Sequence, residues 1–172
     1  MNIQGKLTFL RAIELSDSKL LLNIVNDPDT EFMLGGWSFP ISSIRQNEWI
    51  QNLDNMHETL RCMIVDKKTG STVGVIMLTK IDYKNGNAEI HIKLGSEYRG
   101  KGYGSDAMTA LIEYAFNELR LHLIYGQINI KNITSLKMFE KCGFIYEGTI
   151  KHRLYKKGSY YDMKIFSIIN DK

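Results

Sequence analysis

The most informative part of the sequence is Glu97-Tyr98-Arg99-Gly100-Lys101-Gly102-Tyr103-Gly104. It follows an apolar, strand-like segment and precedes a segment with helical periodicity. Glycines in such a turn allow tight backbone bends and close approach of a ligand. The start of the helix presents unpaired N–H groups and the positive end of the helix dipole. The stretch therefore predicts a binding site for an anion such as a pyrophosphate.

Other kinds of glycine-rich turn fit this stretch less well. A P-loop requires Gly-Lys followed by Ser or Thr, but Gly100-Lys101 is followed by Gly102. A dinucleotide-binding turn requires a further glycine where this chain has Ala107, and it belongs to an early βαβ unit. A plain strand-to-helix connection that binds nothing remains an alternative at this point.

The composition is that of an ordinary globular protein. The chain has 172 residues, 44% of them hydrophobic, and a net charge of +3. We expect a single domain over residues 1–172. The basic residues are scattered, which argues against a nucleic-acid partner, and no apolar run is long enough to span a membrane. Two cysteines and no signal peptide predict a cytoplasmic protein, and the spacing of the four histidines predicts no metal site.

Hydrophobic periodicity predicts a mixed α/β fold with helices packed on a sheet. Strand patterns cover residues 6–13, 61–66, 72–81, 87–94, 123–130, 145–155 and 160–169. Helical patterns follow Ser16 and Ser42, run from the glycine turn to Leu119, and cover residues 133–142. Residues 32–40 are expected to form a loop. Asn85-Gly86 predicts a hairpin with a type I′ turn, so the sheet contains antiparallel pairs.

Two segments in order resemble the GNAT acetyltransferase family. Arg99-Gly100-Lys101-Gly102-Tyr103-Gly104 is similar to its Arg/Gln-x-x-Gly-x-Gly/Ala signature. Asn132-Ile133-Thr134-Ser135 and the following Phe139–Phe144 resemble its Asn-x-x-Ser/Ala…Glu-Lys-x-Gly-Phe segment. The tail around Glu147-Gly148 resembles the branch that contains ribosomal-protein alanine N-acetyltransferases and spermidine N-acetyltransferases. The resemblance implies a central, mostly antiparallel sheet with helices on both faces.

The resemblance also implies that acetyl-CoA is the co-substrate. Its pyrophosphate is expected on the backbone of Arg99, Gly100, Lys101, Gly102, Tyr103 and Gly104. Its pantetheine arm is expected along Ile92, Lys93 and Leu94, in the manner of an added strand. Asn132 and Ser135 are expected to contact the cofactor. Asn132 also suits a helix N-cap, and the two roles are compatible.

Amide formation requires a base for the amine, a donor for the developing oxyanion and an acid for the leaving thiolate. Glu89 is our first candidate for the base, acting through a water, because many members of the family carry a glutamate there. The alternative is a solvated strand residue. His91 lies on the same strand face and is a second candidate, since an ordinary histidine titrates near neutrality.

The acid is harder to assign from the sequence. Many relatives have a tyrosine where this chain has Phe139. In relatives that modify ribosomal proteins a serine takes this role, and it corresponds to Ser135. The alternative for Ser135 is simple capping of the following helix. Cys142 is expected to pack within the protein, because direct attack needs no covalent enzyme intermediate.

We therefore expect an N-acetyltransferase that acts on a protein N-terminus, an amino sugar or another small primary amine. The loop at residues 31–40 has one acid, and the final hairpin brings His152, Arg153, Lys156 and Lys157, which suits a polyamine poorly. The alternatives are a spermidine-type polyamine N-acetyltransferase and a non-catalytic acyl-CoA-binding domain. A nucleotide phosphotransferase fits less well, because no carboxylate pair for magnesium is placed. A homodimer is left open.

Overall fold

The computed structural model of the protein describes residues 1–36, 38–53 and 57–171. The helices in these ranges are α1 (Ser18–Asn26), α2 (Pro28–Met33), α3 (Ser43–Gln51), α4 (Tyr103–Asn117) and α5 (Ile133–Lys141). The strands are β1 (Ile3–Gln4), β2 (Thr8–Arg11), β3 (Leu60–Asp66), β4 (Thr72–Asp82), β5 (Asn87–Leu94), β6 (Leu123–Asn129), β7 (Ile145–Lys156) and β8 (Ser159–Ile169). No helix in the described ranges is both long and apolar enough to cross a membrane.

The strands form one sheet in the order β1-β2-β3-β4-β5-β6-β8-β7. Neighbouring strands are antiparallel except for β5 and β6, which are parallel. A parallel pair needs a crossover connection, and α4 lies in that connection. The expected mixed α/β fold with a mostly antiparallel sheet is confirmed.

Helices cover both faces of the sheet because the inner strands are apolar on both sides. On one face, Met108 and Leu111 of α4 pack against Ile76 and Ile90. On the other face, α1 and α3 pack against the alternate residues; this second cluster contains Leu21, Ile50, Met63 and Val75. Strand side chains alternate between the two faces, so the two clusters lie on opposite sides of the same strands. Each face therefore has its own chemical environment.

The loop predicted for residues 32–40 is wrong at its beginning, because Phe32 and Met33 belong to α2. Pro28 occupies the first turn of this helix, where its fixed φ is favourable and its missing N–H costs nothing. The side chain of Asp27 caps the helix by accepting a hydrogen bond from Thr30 N at 2.9 Å. Asp27-Pro28 therefore ends one helix and begins another.

The hairpin predicted at Asn85-Gly86 is present, but its turn is not type I′. Strand β4 ends at Asp82 and β5 begins at Asn87, so four residues connect them. Gly86 has a φ of +67°, whereas Asn85 does not have a positive φ. The carboxylate of Asp82 accepts hydrogen bonds from Asn85 N at 2.9 Å and Asn85 Nδ2 at 2.6 Å, which stabilises the longer turn.

The N-terminal segment is fixed to the start of α4 by one carboxylate. Asp106 accepts hydrogen bonds from the backbone N–H groups of Lys6, Leu7 and Thr8 and from Thr8 Oγ1, at 2.8 to 3.0 Å. The backbone bends at Lys6 and Leu7, so the strand predicted at 6–13 is the shorter β2. Burial pushes the pKa of Asp106 upward, but these hydrogen bonds outweigh it and hold the pKa below its ordinary value.

Candidate active site

Strands β5 and β6 separate in the middle of the sheet. They pair at Asn87↔Leu123, Ala88↔Ile124 and Glu89↔Tyr125, and pairing stops there. Strand β5 continues to Leu94 and β6 continues to Asn129, so the remaining part of each strand faces a gap. An uncovered strand edge can bind an extended ligand as an added strand. Residues Ile92, Lys93 and Leu94, expected along the pantetheine arm, lie on this edge.

The glycine turn has the geometry that the sequence predicts for an anion site. Gly100 and Gly102 have φ values of +75° and +88°, and Gly102 is the N-cap of α4. A Cβ at Gly100 would meet nothing within 4 Å, so the space beside the turn is open. The first N–H groups of α4 therefore follow two residues whose backbone conformation is easily adopted only by glycine.

Gly104 has a different role from Gly100 and Gly102. A Cβ at this position would lie 2.9 Å from Met138 Sδ and 3.4 Å from Leu94 Cδ1. Gly104 is buried in the first turn of α4, where it allows α5 to approach closely. A side chain at Gly104 would interfere with the packing of α5 on α4. The backbone N–H of Gly104 remains available at the start of the helix.

Arg99 connects the glycine turn to the junction of α1 and α2. Its Nη2 donates hydrogen bonds to Thr30 Oγ1 at 2.6 Å and to Asp27 Oδ2 at 3.1 Å. Hydrogen bonds from Thr30, and then Arg99, lower the pKa of Asp27 despite an opposing effect of burial. The guanidinium is thus engaged within the protein, and the backbone N–H of Arg99 donates a hydrogen bond to Ser96 O at 3.4 Å.

Glu89 lies at the last residue pair before the strands separate, and it is buried, with 4% of its surface exposed. Its Oε2 lies 2.8 Å from Lys80 Nζ. Lys80 occupies an irregularity in β4 with a φ of +51°, between Thr79 and Asp82 in the pairing with β5. Glu89 is therefore an enclosed carboxylate with a counter-ion, and the solvated alternative does not describe it.

His91 follows Glu89 on the same face of β5. Its Nε2 is 3.1 Å from Thr79 Oγ1 and 3.8 Å from Glu89 Oε1. Burial lowers the pKa of His91; the Glu89 charge opposes this shift, while Lys93 and Lys80 reinforce it. The imidazole is consequently neutral near pH 7, so one of its ring nitrogens can donate a hydrogen bond and the other can accept one.

Tyr125 belongs to this site, and the sequence analysis did not identify it. It is the partner of Glu89 on β6, so both side chains lie on the same face of the sheet. Burial, and then the charge of Glu89, raises the pKa of Tyr125. The phenol therefore stays protonated at neutral pH. The parallel pairing of β5 with β6 brings these residues together, and the sequence gives no signal for that register.

Asn132 and Ser135 lie at the beginning of α5. Asn132 Oδ1 accepts a hydrogen bond from Ser135 N at 3.1 Å, which is an N-cap interaction. In the described part of the chain the Ser135 hydroxyl has no hydrogen-bond partner, and the residue is half-buried. The capping role expected for Asn132 is present. The Ser135 hydroxyl is free to interact with a ligand.

Phe139 fills the space next to the gap between β5 and β6. It is 4% exposed and lies against Gly126, where a Cβ would be 2.4 Å from Phe139 Cε1. Its ring centroid is 4.6 Å from that of Phe144. Cys142 Sγ is 3.8 Å from Ser105 O of α4, in agreement with the expected packing role. Phe139, which stands where a tyrosine was expected from the resemblance, is therefore a core side chain without a hydroxyl group.

A cavity of about 620 Å³ lies between α1, α2 and the β7–β8 hairpin. Pro28, Phe39 and Tyr155 form part of its lining. Lys156, whose side chain is 3% exposed, forms an ion pair with Glu31 and donates a hydrogen bond to Ser38 Oγ at 3.1 Å. Hydrogen bonds from Lys156, and then Ser38, lower the pKa of Glu31. The acid expected in this loop is thus neutralised, while Trp37 lies outside the described residues.

Comparison with known proteins identifies the family. The model of the "Acetyltransferase (GNAT) domain" matches residues 8–145, and the chain belongs to this family. It is an N-acetyltransferase, and the enzymes of this family use acetyl-CoA.

Three relatives show how far the similarity extends. The spermidine N(1)-acetyltransferase of Vibrio cholerae is 28% identical over 95% of this chain and 93% of its own length. The putative ribosomal N-acetyltransferase YdaF of Bacillus subtilis is 28% identical over 93% of this chain and 90% of its own length. The crystal structure of the Vibrio cholerae spermidine N-acetyltransferase with CoA and spermine has a TM-score of 0.86 and 25% identity, over 96% of each chain.

Proposed function

We propose that this enzyme transfers the acetyl group of acetyl-CoA to an acceptor with a single primary amine, such as a protein N-terminus or an amino sugar. We place the reaction in one domain of residues 1–172, in the cytoplasm and without a metal. The observation that carries the proposal is the enclosed carboxylate of Glu89 at the separation of β5 and β6. A base at Glu89 lies next to the unpaired edge of β5, along which the pantetheine arm is proposed to bind.

The proposed reaction is a direct attack. Glu89 receives the proton of the amine through a water, and the nitrogen attacks the thioester carbonyl carbon. The C–N bond forms as the C–S bond breaks, and the thiolate takes a proton from the hydroxyl of Ser135, which regains one from solvent. His91 is the second candidate for the base, because its neutral imidazole is 3.8 Å from Glu89.

The chain supplies binding groups for acetyl-CoA at two places. The N–H groups from Gly100 to Gly104 suit the pyrophosphate, because they combine a helix N-terminus with open space beside Gly100. The Arg99 N–H, expected there too, already donates to Ser96 O. The free edge of β5 at Ile92–Leu94 suits the amide groups of the pantetheine arm. Asn132 and Ser135 at the start of α5 complete the proposed contacts.

The charges near the site favour a single-amine acceptor over a polyamine. Lys80 lies beside Glu89, and the charge of Arg153 acts on Lys80. The carboxylate of Glu31 is neutralised by Lys156. A polycation would therefore meet like charges and few free carboxylates. Polyamine acetylation is the second candidate, because a relative is named as a spermidine N(1)-acetyltransferase.

Steady-state release of the CoA thiol with a panel of amines tests the proposal. We expect a higher kcat/KM for peptides with a free N-terminus or for amino sugars than for spermidine and spermine. A polyamine as the best acceptor would overturn the choice of acceptor but not the acetyl transfer. Tight binding of acetyl-CoA without turnover of any amine would instead support the non-catalytic acyl-CoA-binding alternative.

A further inference from the structure

Lys93 is the next residue on the face of β5 that carries Glu89 and His91. It pairs with Val75 of β4, which belongs to the core cluster beneath α1 and α3. Its neighbours Ile92 and Leu94 instead pack with the cluster beneath α4. The side chain of Lys93 therefore extends from the sheet on the face opposite α4, while its backbone lies on the free edge.

The ammonium of Lys93 has no acidic partner among residues 1–36, 38–53 and 57–171. Three acids of the described residues are already paired, Glu89 with Lys80, Asp27 with Arg99 and Glu31 with Lys156. Lys93 is half-buried, and burial lowers its pKa. An enclosed ammonium without a counter-ion is unfavourable, and a ligand that carries an anion relieves that cost.

We propose that the side chain of Lys93 binds an anionic group, a carboxylate or a phosphate, on the acceptor. This inference rests on the proposed function, because it places the acceptor amine at Glu89. Lys93 lies four residues beyond Glu89 on the same face, which corresponds to about 13 Å along a strand. Because a lysine side chain is long and flexible, a short peptide can reach from the amine site to Lys93.

The position of Lys93 indicates that the anion it binds belongs to the acceptor and not to the cofactor. The pyrophosphate site is at the start of α4, and α4 packs on the opposite face of β5. The ammonium of Lys93 points to the side of α1 and α3, next to His91, whose pKa it lowers. Its backbone can still take part in the contact with the pantetheine arm.

A pair of acceptors that differ only in one charge provides the kinetic test. Trialanine and trialanine amide share the same amine, and only the first has a carboxylate. We expect the wild-type enzyme to prefer trialanine in kcat/KM by roughly tenfold, mainly through KM, as suits one charge-assisted hydrogen bond. Lys93→Met should reduce the preference to about one, and Lys93→Arg should retain most of it.

The matched control is Lys84→Met, which removes the same charge from the exposed β4–β5 turn and should leave the preference unchanged. A preference that survives Lys93→Met overturns the inference. If the wild-type enzyme acetylates neither peptide although it binds acetyl-CoA, a peptide N-terminus is not its acceptor, and the binding measurement below then decides on Lys93 separately.

The pKa of Lys93 gives a readout that does not depend on turnover. The 13Cε signal of Lys93, assigned with the Lys93→Arg variant, reports its titration by NMR. We expect saturation with trialanine to raise this pKa and saturation with trialanine amide to leave it unchanged. An equal response to both peptides overturns the inference. A rise caused by acetyl-CoA alone also overturns it, because it would identify a cofactor phosphate as the anion.

Discussion

The ammonium of Lys80 lies 2.8 Å from Oε2 of Glu89, yet the Lys80 side chain is 68% exposed and that of Glu89 only 6%. The pair therefore joins a carboxylate inside the site to a cation that reaches solvent. The hydrogen bond and charge of Glu89 raise the pKa of Lys80. Loss of Glu89 is tolerable for the fold, because Lys80 can be hydrated where it stands, whereas loss of Lys80 leaves an enclosed carboxylate without its counter-ion.

Replacement of Glu89 tests its role as the base. Glu89→Gln keeps the size of the side chain but cannot accept the proton, so we expect kcat to fall by about 100-fold. Affinity for acetyl-CoA, measured by calorimetry, should stay within twofold. Lys80→Met is the matched control, since it leaves the carboxylate in place and should reduce kcat by less. A kcat for Glu89→Gln within a few-fold of wild type would make Glu89 a structural residue.

Substitution of two glycines that have similar positive φ values tests the anion site. Gly102 and Gly70 have φ values of +88° and +72°, and Gly70 lies in the β3–β4 turn. Gly102→Asp adds a negative charge at the start of α4 and should weaken acetyl-CoA binding at least tenfold. Gly70→Asp adds the same strain and charge elsewhere, so it should leave the Kd unchanged. Equal Kd values for both variants would refute the pyrophosphate site.

Asp106 should contribute strongly to stability, because its carboxylate receives four hydrogen bonds from the N-terminal segment. We expect Asp106→Ala to lower the free energy of unfolding by about 2–4 kcal/mol in urea titrations at pH 7. Glu113→Ala, an exposed position on the same helix, should change it by less than about 0.5 kcal/mol.

The contribution of Asp106 should also depend on pH in a defined direction. Its pKa in the folded protein is lower than the ordinary value of 3.8. The stabilisation is therefore complete above that ordinary value and is lost as the pH falls through the lower, folded pKa. Urea titrations from pH 5 to pH 2 should show the difference between wild type and Asp106→Ala shrink. A difference that is constant over this range would contradict the assignment.

The two thiols should be unreactive in the folded protein. Burial raises the pKa of Cys62 to about 11, and burial also raises that of Cys142. Because the thiolate is the reactive form, we expect slow labelling by iodoacetamide at pH 7.5 and fast labelling in urea. Cys142→Ala should retain kcat within about twofold, since direct attack uses no enzyme thiol. A large loss of kcat in this variant with unchanged stability would oppose direct attack.

Local sequence signals predicted the elements whose structure depends on local interactions. Helix α5 begins after Asn132 and is followed by Gly143, which has a φ of +89°, because capping needs only nearby residues. The burial of Glu89 was not predictable, since it depends on the pairing of β5 with β4 on one side and with β6 on the other. The pair of Glu31 and Lys156 joins residues that are 125 positions apart.

The glycine turn also combines features that depend on nearby residues with one that depends on a distant residue. The positive φ values of Gly100 and Gly102 agree with the prediction of a tight turn before a helix. The role of Gly104 was not predictable, because it depends on Met138 of another helix. Sequence patterns thus predicted the backbone of the turn at which we propose that the cofactor binds. The surroundings of the proposed catalytic residues instead depend on the register between distant strands.

The three residue pairs between β5 and β6 have a consequence for folding. They join an antiparallel half of the sheet made from residues 3–94 to another made from residues 123–169. Each half is continuous in the chain, so each can form largely from contacts between neighbouring hairpins. In hydrogen exchange under native conditions, we expect the two halves to open as separate cooperative units. The joint between them is the place where the site lies, and a ligand that spans it would couple their opening.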